Sequence, residues 1–267
     1  MEGFAHEWLR LREPVDHESR STRLQERLQA EFGTERSLQI LDLGAGSGSN
    51  LRYLGPRLLN PQSWMLIDYD ASLLVHAAAP CRKTWVCSCT LDLNEWDRIQ
   101  RLPRPDLVTG SALLDLVSAD WLKTLVDQCL QWRAVVLFGL TVNGEIALRP
   151  ADPDDATVLK ALQMHQRRHK GLGQALGPDA ASRLAETLRD AGYQVWMEPS
   201  PWALGPQNQR LAAELVYGWA SAATEQDPSQ SLLFQSWQHR RMRQITDGEL
   251  EIDVGHWDLL ALPPAQP

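Results

Sequence analysis

Hydrophobic positions along the chain fall into short continuous runs separated by stretches with helical spacing. The clearest run is residues 38–43, where Leu38, Ile40, Leu41 and Leu43 precede three glycines at alternate positions, Gly44, Gly46 and Gly48. Continuous apolar runs of this length read as strands buried on both faces. Further runs at 64–70, 83–89, 106–111, 134–140, 193–197 and 256–262 bring the count to seven. Between them apolar residues recur every three or four positions, as in Leu114, Val117, Leu122, Leu125 and Val126, then Leu184 and Leu188, then Leu211, Leu215 and Trp219. This spacing predicts helices over 113–129, between Asp179 and Gly192, around 211–219 and over 230–245, with a more polar one over 156–170. Ahead of the first run, Trp8, Leu11, Leu24 and Leu28 predict two helices broken at Pro14 within residues 4–32. Strands alternating with helices at this rhythm predict an α/β, doubly wound sheet with helices on both faces.

The connections carry their own signals. Asp70 precedes a short apolar helix and is a good N-cap. Asn143 and Gly144 predict a tight turn, and residues 150–155 a loop, so that about 143–178 is expected to be a helical lid. A helical insertion of about 199–250 separates the sixth and seventh strands, and residues 1–35 form an N-terminal helical cap on the remaining 36–267.

At 267 residues and 43% hydrophobic composition the chain can bury one large core. No apolar stretch is long enough to span a bilayer, and the N-terminus lacks an export signal, so a cytoplasmic protein without membrane contact is expected. Cys81, Cys87, Cys89 and Cys129 are expected to be free and inert thiols, with no metal site. The net charge of −8 argues against nucleic acid as a partner. Two basic clusters, at residues 165–170 and 239–243, run against that average; they read either as solvated helix surface or as a collar that attracts a small anionic substrate.

Chemistry enters at the glycine turn, where the absence of Cβ atoms lets a ligand approach the backbone. A dinucleotide fingerprint would need glycine at the sixth position, which here is Ser49. The segment Asp42, Leu43, Gly44, Ala45, Gly46, Ser47, Gly48 instead resembles the first motif of the class I S-adenosylmethionine-dependent methyltransferases. The second apolar run closes on Asp68, 20 residues beyond Gly48, where an acid can accept from ribose hydroxyls. The resemblance covers residues 36 to about 140, with 179–198 and 255–262, and does not reach the substrate cap. It implies a sheet of order 3-2-1-4-5-7-6 with strand 7 antiparallel, S-adenosylmethionine as cofactor and methyl transfer by in-line displacement. It also implies that Asp42, Gly44, Ala45, Gly46 and Gly48 embrace the methionine part, with Asp42 near its ammonium. Asp68 would take the ribose, Asp92 and Leu93 the adenine, and Ser111 and Ala112 the neighbourhood of the methyl.

The acceptor is less defined. The exit of the fourth strand reads GSALLD, without the Asn-Pro-Pro-Tyr or Asp-Pro-Pro-Tyr segment of enzymes that methylate amino groups of bases or glutamine, which favours a small-molecule acceptor. Candidate catalytic bases are His17, His165 and His169; candidate substrate contacts are Arg20, Trp202 and Asn208. An inactive cofactor-binding partner subunit, or a nicotinamide-dependent reductase, are the alternative readings of the same loop.

Overall fold

The computed structural model describes residues 6–77 and 83–265. Eight strands form one sheet: β1 Leu38–Leu43, β2 Gln62–Asp68, β3 Thr84–Thr90, β4 Leu107–Ser111, β5 Val135–Arg149, β6 Gln194–Pro199, β7 Trp202–Leu204 and β8 Glu251–Leu262. Their order is β3-β2-β1-β4-β5-β8-β6, with β7 also paired to β8. The first five strands are parallel, and β8 runs antiparallel between β5 and β6. With β8 in the place of the seventh strand, this is the expected order; β7 is an addition that the sequence pattern does not announce.

Among the described residues ten helices surround the sheet: α1 His6–Ser19, α2 Thr22–Phe32, α3 Ser49–Leu54, α4 Ala71–Leu74, α5 Trp96–Ile99, α6 Ala119–Trp132, α7 Asp155–Gln166, α8 Ala180–Asp190, α9 Gln209–Gln226 and α10 Ser231–Thr246. One face of the sheet packs on α6 and α8 through Leu122, Val126, Leu184 and Leu188. The other packs on α2 and α3 through Leu24, Leu28, Leu51 and Leu54, which makes α2 part of the main core. A third cluster joins α7, α9 and α10 to β7 and the outer halves of β5 and β8, around Phe234, Trp237, Val216 and Ile252.

Three expectations change. The N-terminal helices part at Arg20 and Ser21, not at Pro14, which lies inside α1. Ser21 makes the break, because its backbone N–H donates to Asp258 (3.0 Å) while its hydroxyl caps the Leu24 N–H (3.3 Å). Phe4, expected at the start, lies outside the described residues. Asn143 and Gly144 do not turn the chain; β5 continues to Arg149, and they form a bulge where the register against β8 slips between Val142 and Ile146. The long β8 supplies a partner beyond the expected end, so the lid segment starts as strand. Finally, α6 begins at Ala119, capped by Ser118, and Leu114–Leu116 make a single tight turn before it.

Candidate active site

The carboxyl ends of β1, β2, β3 and β4 deliver their loops to one side of the sheet. After β1 the chain turns through Gly44 (φ +65°), Gly46 (φ +53°) and Gly48 (φ +84°), a left-handed series that other residues rarely adopt. A Cβ on Gly48 would lie 2.8 Å from that of Ala77. Asp68, at the end of β2, pins this loop: one carboxylate oxygen accepts from the Gly46 N–H (2.8 Å), the other from the Asp70 N–H (2.9 Å). Burial pushes its carboxyl up, and these backbone donors pull it back. Asp70 caps α4, as expected, by accepting from Ser72.

After β3, one oxygen of Asp92 accepts from the backbone and side-chain N–H groups of Asn94 (2.8 and 3.0 Å), and among the described residues the other has no hydrogen-bond partner. Buried Leu93 follows, its carbonyl held by the Trp121 indole (2.9 Å). At the end of β4, Ala112 adopts φ +52°, and Leu140 in adjacent β5 adopts φ +56°. These two non-glycine residues in left-handed geometry sit side by side where the sheet borders a cavity.

These segments line a cavity of about 770 Å³. Of the residues expected around the cofactor, Gly44, Ala45, Gly46, Asp68, Asp92, Leu93, Ser111 and Ala112 border it; Gly48 and Asp42 do not. Asp42 is fully buried beneath the loop, with Oδ1 accepting from Asn50 (2.9 Å) and Oδ2 without a hydrogen-bond partner. Its carboxyl is pushed up to about 7, first by burial.

The three substrate candidates do not border this cavity. Arg20 is buried, donating to Asp258 (2.9 Å) and Asn50 (3.2 Å), so that Asp42, Asn50, Arg20, Asp258 and the Leu140 N–H form one continuous network. Gly139 has no Cβ because one would sit 2.5 Å from that guanidinium. Trp202 belongs to β7 and donates to Asp16 (3.1 Å). Asn208 accepts from the Gly205 N–H in a turn before α9. His17 is also displaced from the cavity; its Nε2 is 3.1 Å from both Ser49 O and Ser49 Oγ, which braces the glycine loop from behind.

No profile of a known protein family matches the chain. Over 175 residues it is 29% identical to a trans-aconitate 2-methyltransferase of Mycobacterium ulcerans, covering 63% of this chain and 60% of that protein. A second trans-aconitate 2-methyltransferase, from Mycobacterium marinum, is 26% identical over 225 residues, or 82% of this chain and 78% of that one. Among solved structures, a cyclopropane-fatty-acyl-phospholipid synthase-like protein from Lactobacillus casei superimposes with a TM-score of 0.53 at 14% identity, over 94% of this chain and 99% of that one. A cyclopropane synthase from Mycobacterium tuberculosis does so with 0.50 at 13% identity, over 96% and 94%. The chain has the class I methyltransferase fold.

In this methyltransferase fold the sheet supplies one wall of the cavity, and α1, the end of α7 and the segment after it supply the other. That second wall carries Arg12, His165, Arg168, His169 and Lys170, so both lid histidines do face the cavity. His165 is held between Glu225 (Nε2, 3.1 Å) and the Lys170 ammonium (Nδ1, 3.4 Å). An ammonium only donates, so Nδ1 accepts and Nε2 carries the proton toward Glu225. Burial keeps the His165 imidazole below its ordinary pKa. His169 Nδ1 accepts from the Gly171 N–H (3.2 Å). Arg168 spends one nitrogen on the Glu225 carbonyl (2.9 Å), and among the described residues neither it nor Lys170 has a carboxylate within ion-pair distance. The Asn94 side chain ties the adenine-side loop to the lid through the Gly171 carbonyl (3.0 Å).

Among the described residues no cluster suited to a metal ion is present, and no helix is long and apolar enough to cross a membrane. Sequence reasoning missed Leu9, Arg12 and Asp16 as cavity residues because helical spacing assigns α1 a packing face without saying what it faces. It missed Lys170 as an individual, although the basic run 165–170 was the visible signal.

Proposed function

We propose that the chain transfers a methyl group from S-adenosylmethionine to a small carboxylic acid. One observation carries this reading: the loops expected to hold the cofactor open into the same cavity as Arg168 and Lys170, two cations without a carboxylate partner. Both are half-buried, and a partly desolvated cation without a counter-charge gains from a ligand that provides one. The names of the two relatives, trans-aconitate 2-methyltransferases, point to the same class of acceptor. The aligned part of the first relative spans 60% of its length.

The residues fit the cofactor. The glycine turn leaves a cradle that side chains would narrow: a Cβ on Gly44 would lie 3.1 Å from Leu113, and one on Gly46 would lie 3.3 Å from Leu9. When bound, S-adenosylmethionine supplies a methyl group on a sulfonium, a leaving group that needs no covalent help from the protein. Asp68 would hold ribose hydroxyls on the lone pairs its two backbone contacts leave free, while keeping Gly46 in place. The free oxygen of Asp92 would accept from the adenine amino group, with Leu93 against the ring. Asp42 acts through Asn50, stiffening the floor of the loop. Arg168 and Lys170 would fix the carboxylate of the acceptor, and Glu225 orients Lys170 through His165. The rate advantage is then one of position: the acceptor is held beside Ala112 in a site closed by α1 and the segment after α7.

This reading takes α1 and α2, the lid and the α9–α10 insertion as the acceptor cap, and no nucleic acid or membrane as partner, in keeping with the net charge of −8. The free thiols of Cys87, Cys89 and Cys129 suit a cytoplasmic protein. The test is S-adenosylhomocysteine release from purified protein and S-adenosylmethionine, with a panel of small mono-, di- and tricarboxylic acids that includes trans-aconitate. Acid-dependent release is expected; cofactor binding with release stimulated only by uncharged acceptors would overturn the acid assignment.

A further inference from the structure

A second, smaller chamber of about 110 Å³ adjoins the main cavity and shares Arg12 and Ala112 with it. Its volume is about that of four water molecules in the liquid, so it admits one compact group and not a second cofactor. Three tryptophans, Trp8, Trp202 and Trp219, contribute to its walls. Its polar groups are unevenly charged. The Arg12 guanidinium is neutralised by a two-point pair with Asp16 (2.8 and 3.1 Å), itself braced by the Trp202 indole. His256 donates from Nδ1 to the Val254 carbonyl (3.0 Å), and burial drops its pKa to about 4, so it is uncharged and presents Nε2 as an acceptor. Glu145, at the exposed end, is held by the Asn143 amide (2.9 Å).

That leaves Asp115, one turn beyond Ala112. It is half-buried in the chamber wall, burial pushes its carboxyl up, and among the described residues no other side chain bonds to it. Arg12 and Lys170 are near enough to pull it down, yet neither lies within ion-pair distance. Lys170 shows the reciprocal pattern: burial lowers its pKa, and Asp115 is among the charges that raise it. Asp115 thus lines the smaller chamber and Lys170, whose ammonium meets the neutral His165 imidazole, lines the main cavity that the chamber adjoins, with no ion pair between them among the described residues. A molecule that carries both charges in the opposite order satisfies the two at once. Aromatic faces around a carboxylate are also the surroundings that a desolvated ammonium prefers.

Resting on the methyl-transfer reading above, we propose that the chamber is an amine subsite: it takes the ammonium group of a small zwitterionic acceptor whose carboxylate lies against Lys170, with Asp115 as the counter-charge and Trp8, Trp202 and Trp219 as walls. Within the carboxylic acids, the acceptor class is therefore a short amino acid.

The experiment is calorimetric titration of the protein, first with S-adenosylmethionine and then, on the protein saturated with S-adenosylhomocysteine, with a ladder of acceptors. The ladder is glycine, β-alanine, 4-aminobutyrate and 5-aminovalerate, each beside the acid lacking the amino group and the amine lacking the carboxylate, with trans-aconitate alongside. One amino acid of the ladder is expected to bind about tenfold or more tighter than both of its one-ended analogues, as an added charge-assisted contact provides. Asp115→Asn is expected to erase the margin over the plain acid, and Lys170→Met the margin over the plain amine. The proposal is overturned if the plain acids or trans-aconitate bind as tightly as every amino acid, or if Asp115→Asn leaves the margin intact. Failure of the first titration would instead remove the methyl-donor reading itself, and each variant's own cofactor titration reports whether it has folded.

Discussion

The two walls of the main cavity are built on opposite terms. On the sheet side, Asp68 is held at both carboxylate oxygens by backbone N–H groups, and Asp92 at one by Asn94, so these acids are oriented by the protein's own backbone and side chains. On the lid side, Arg168 and Lys170 spend only part of their donors, on a carbonyl and on a neutral imidazole, and keep their charge available. A rigid acceptor-of-hydrogen-bonds wall suits a ligand of fixed shape, and an under-coordinated cationic wall suits one that must be exchanged and distinguished by charge. The two walls are joined beneath by the buried Asp42–Asn50–Arg20–Asp258 network, which ties β1, the N-terminal helices and β8 together.

The network is where both walls can be broken at once. Gly139→Ala would drive a Cβ to within 2.5 Å of the Arg20 guanidinium. We expect a stability loss of about 3 kcal/mol, read as a lower denaturation midpoint with an unchanged m-value. A loss under about 0.5 kcal/mol would mean that Arg20 yields easily and that the walls are independent.

Asp68→Ala addresses the sheet wall alone. It frees the Gly46 loop and removes the ribose contacts, so S-adenosylmethionine should bind about fiftyfold more weakly, as loss of charge-assisted bonds implies. The kinetic constant for the acceptor should move less than the cofactor affinity. Lys170→Met addresses the lid wall: KM for the carboxylate acceptor should rise about tenfold with cofactor affinity unaltered. If both variants shifted both ligands equally, the division into two walls would fail.

The smallest effects concern two buried groups that pull in opposite directions. Asp42, at about 7, keeps its proton in the folded protein where the unfolded chain has lost it, so raising the pH from 6 to 7 should cost about 1 kcal/mol that Asp42→Asn does not lose. His256, at about 4, stays neutral in the folded protein while the unfolded chain takes up a proton below its ordinary 6.5. Lowering the pH from 6.5 to 5.5 should therefore cost about 1 kcal/mol that His256→Gln is spared. Urea midpoints at these pH values, parent against variant, give both slopes; parallel curves would show that neither group is desolvated as described.

The same contrast explains what the chain discloses in one dimension. The sheet wall was legible because its geometry restricts residue type: a left-handed turn calls for Gly44, Gly46 and Gly48, and the acids sit at strand ends in a fixed order. Strand order was legible for the same reason, down to the antiparallel β8 between β5 and β6. The lid wall was not, because any helix can bring a lysine or arginine to a cavity. Arg20 shows the difficulty: it belongs to a polar helix junction in sequence, and only the tertiary partners Asp258 and Asn50 make it a buried strut. Likewise Trp202 gave no sign that β8 would extend far enough to pair with Trp202–Leu204. The bulge at Asn143 has the same cause, since a turn signal was overridden by a longer partner strand.

The central claim is that the glycine turn and Asp68 form a methyl-donor site. It is tested most directly by titrating S-adenosylmethionine into protein stripped of copurified ligand, with Asp68→Ala in parallel. The account predicts saturable binding at one site per chain, weakened about fiftyfold in the variant. Folded parent protein that shows no saturable binding, or a variant that binds as tightly as the parent, would contradict it.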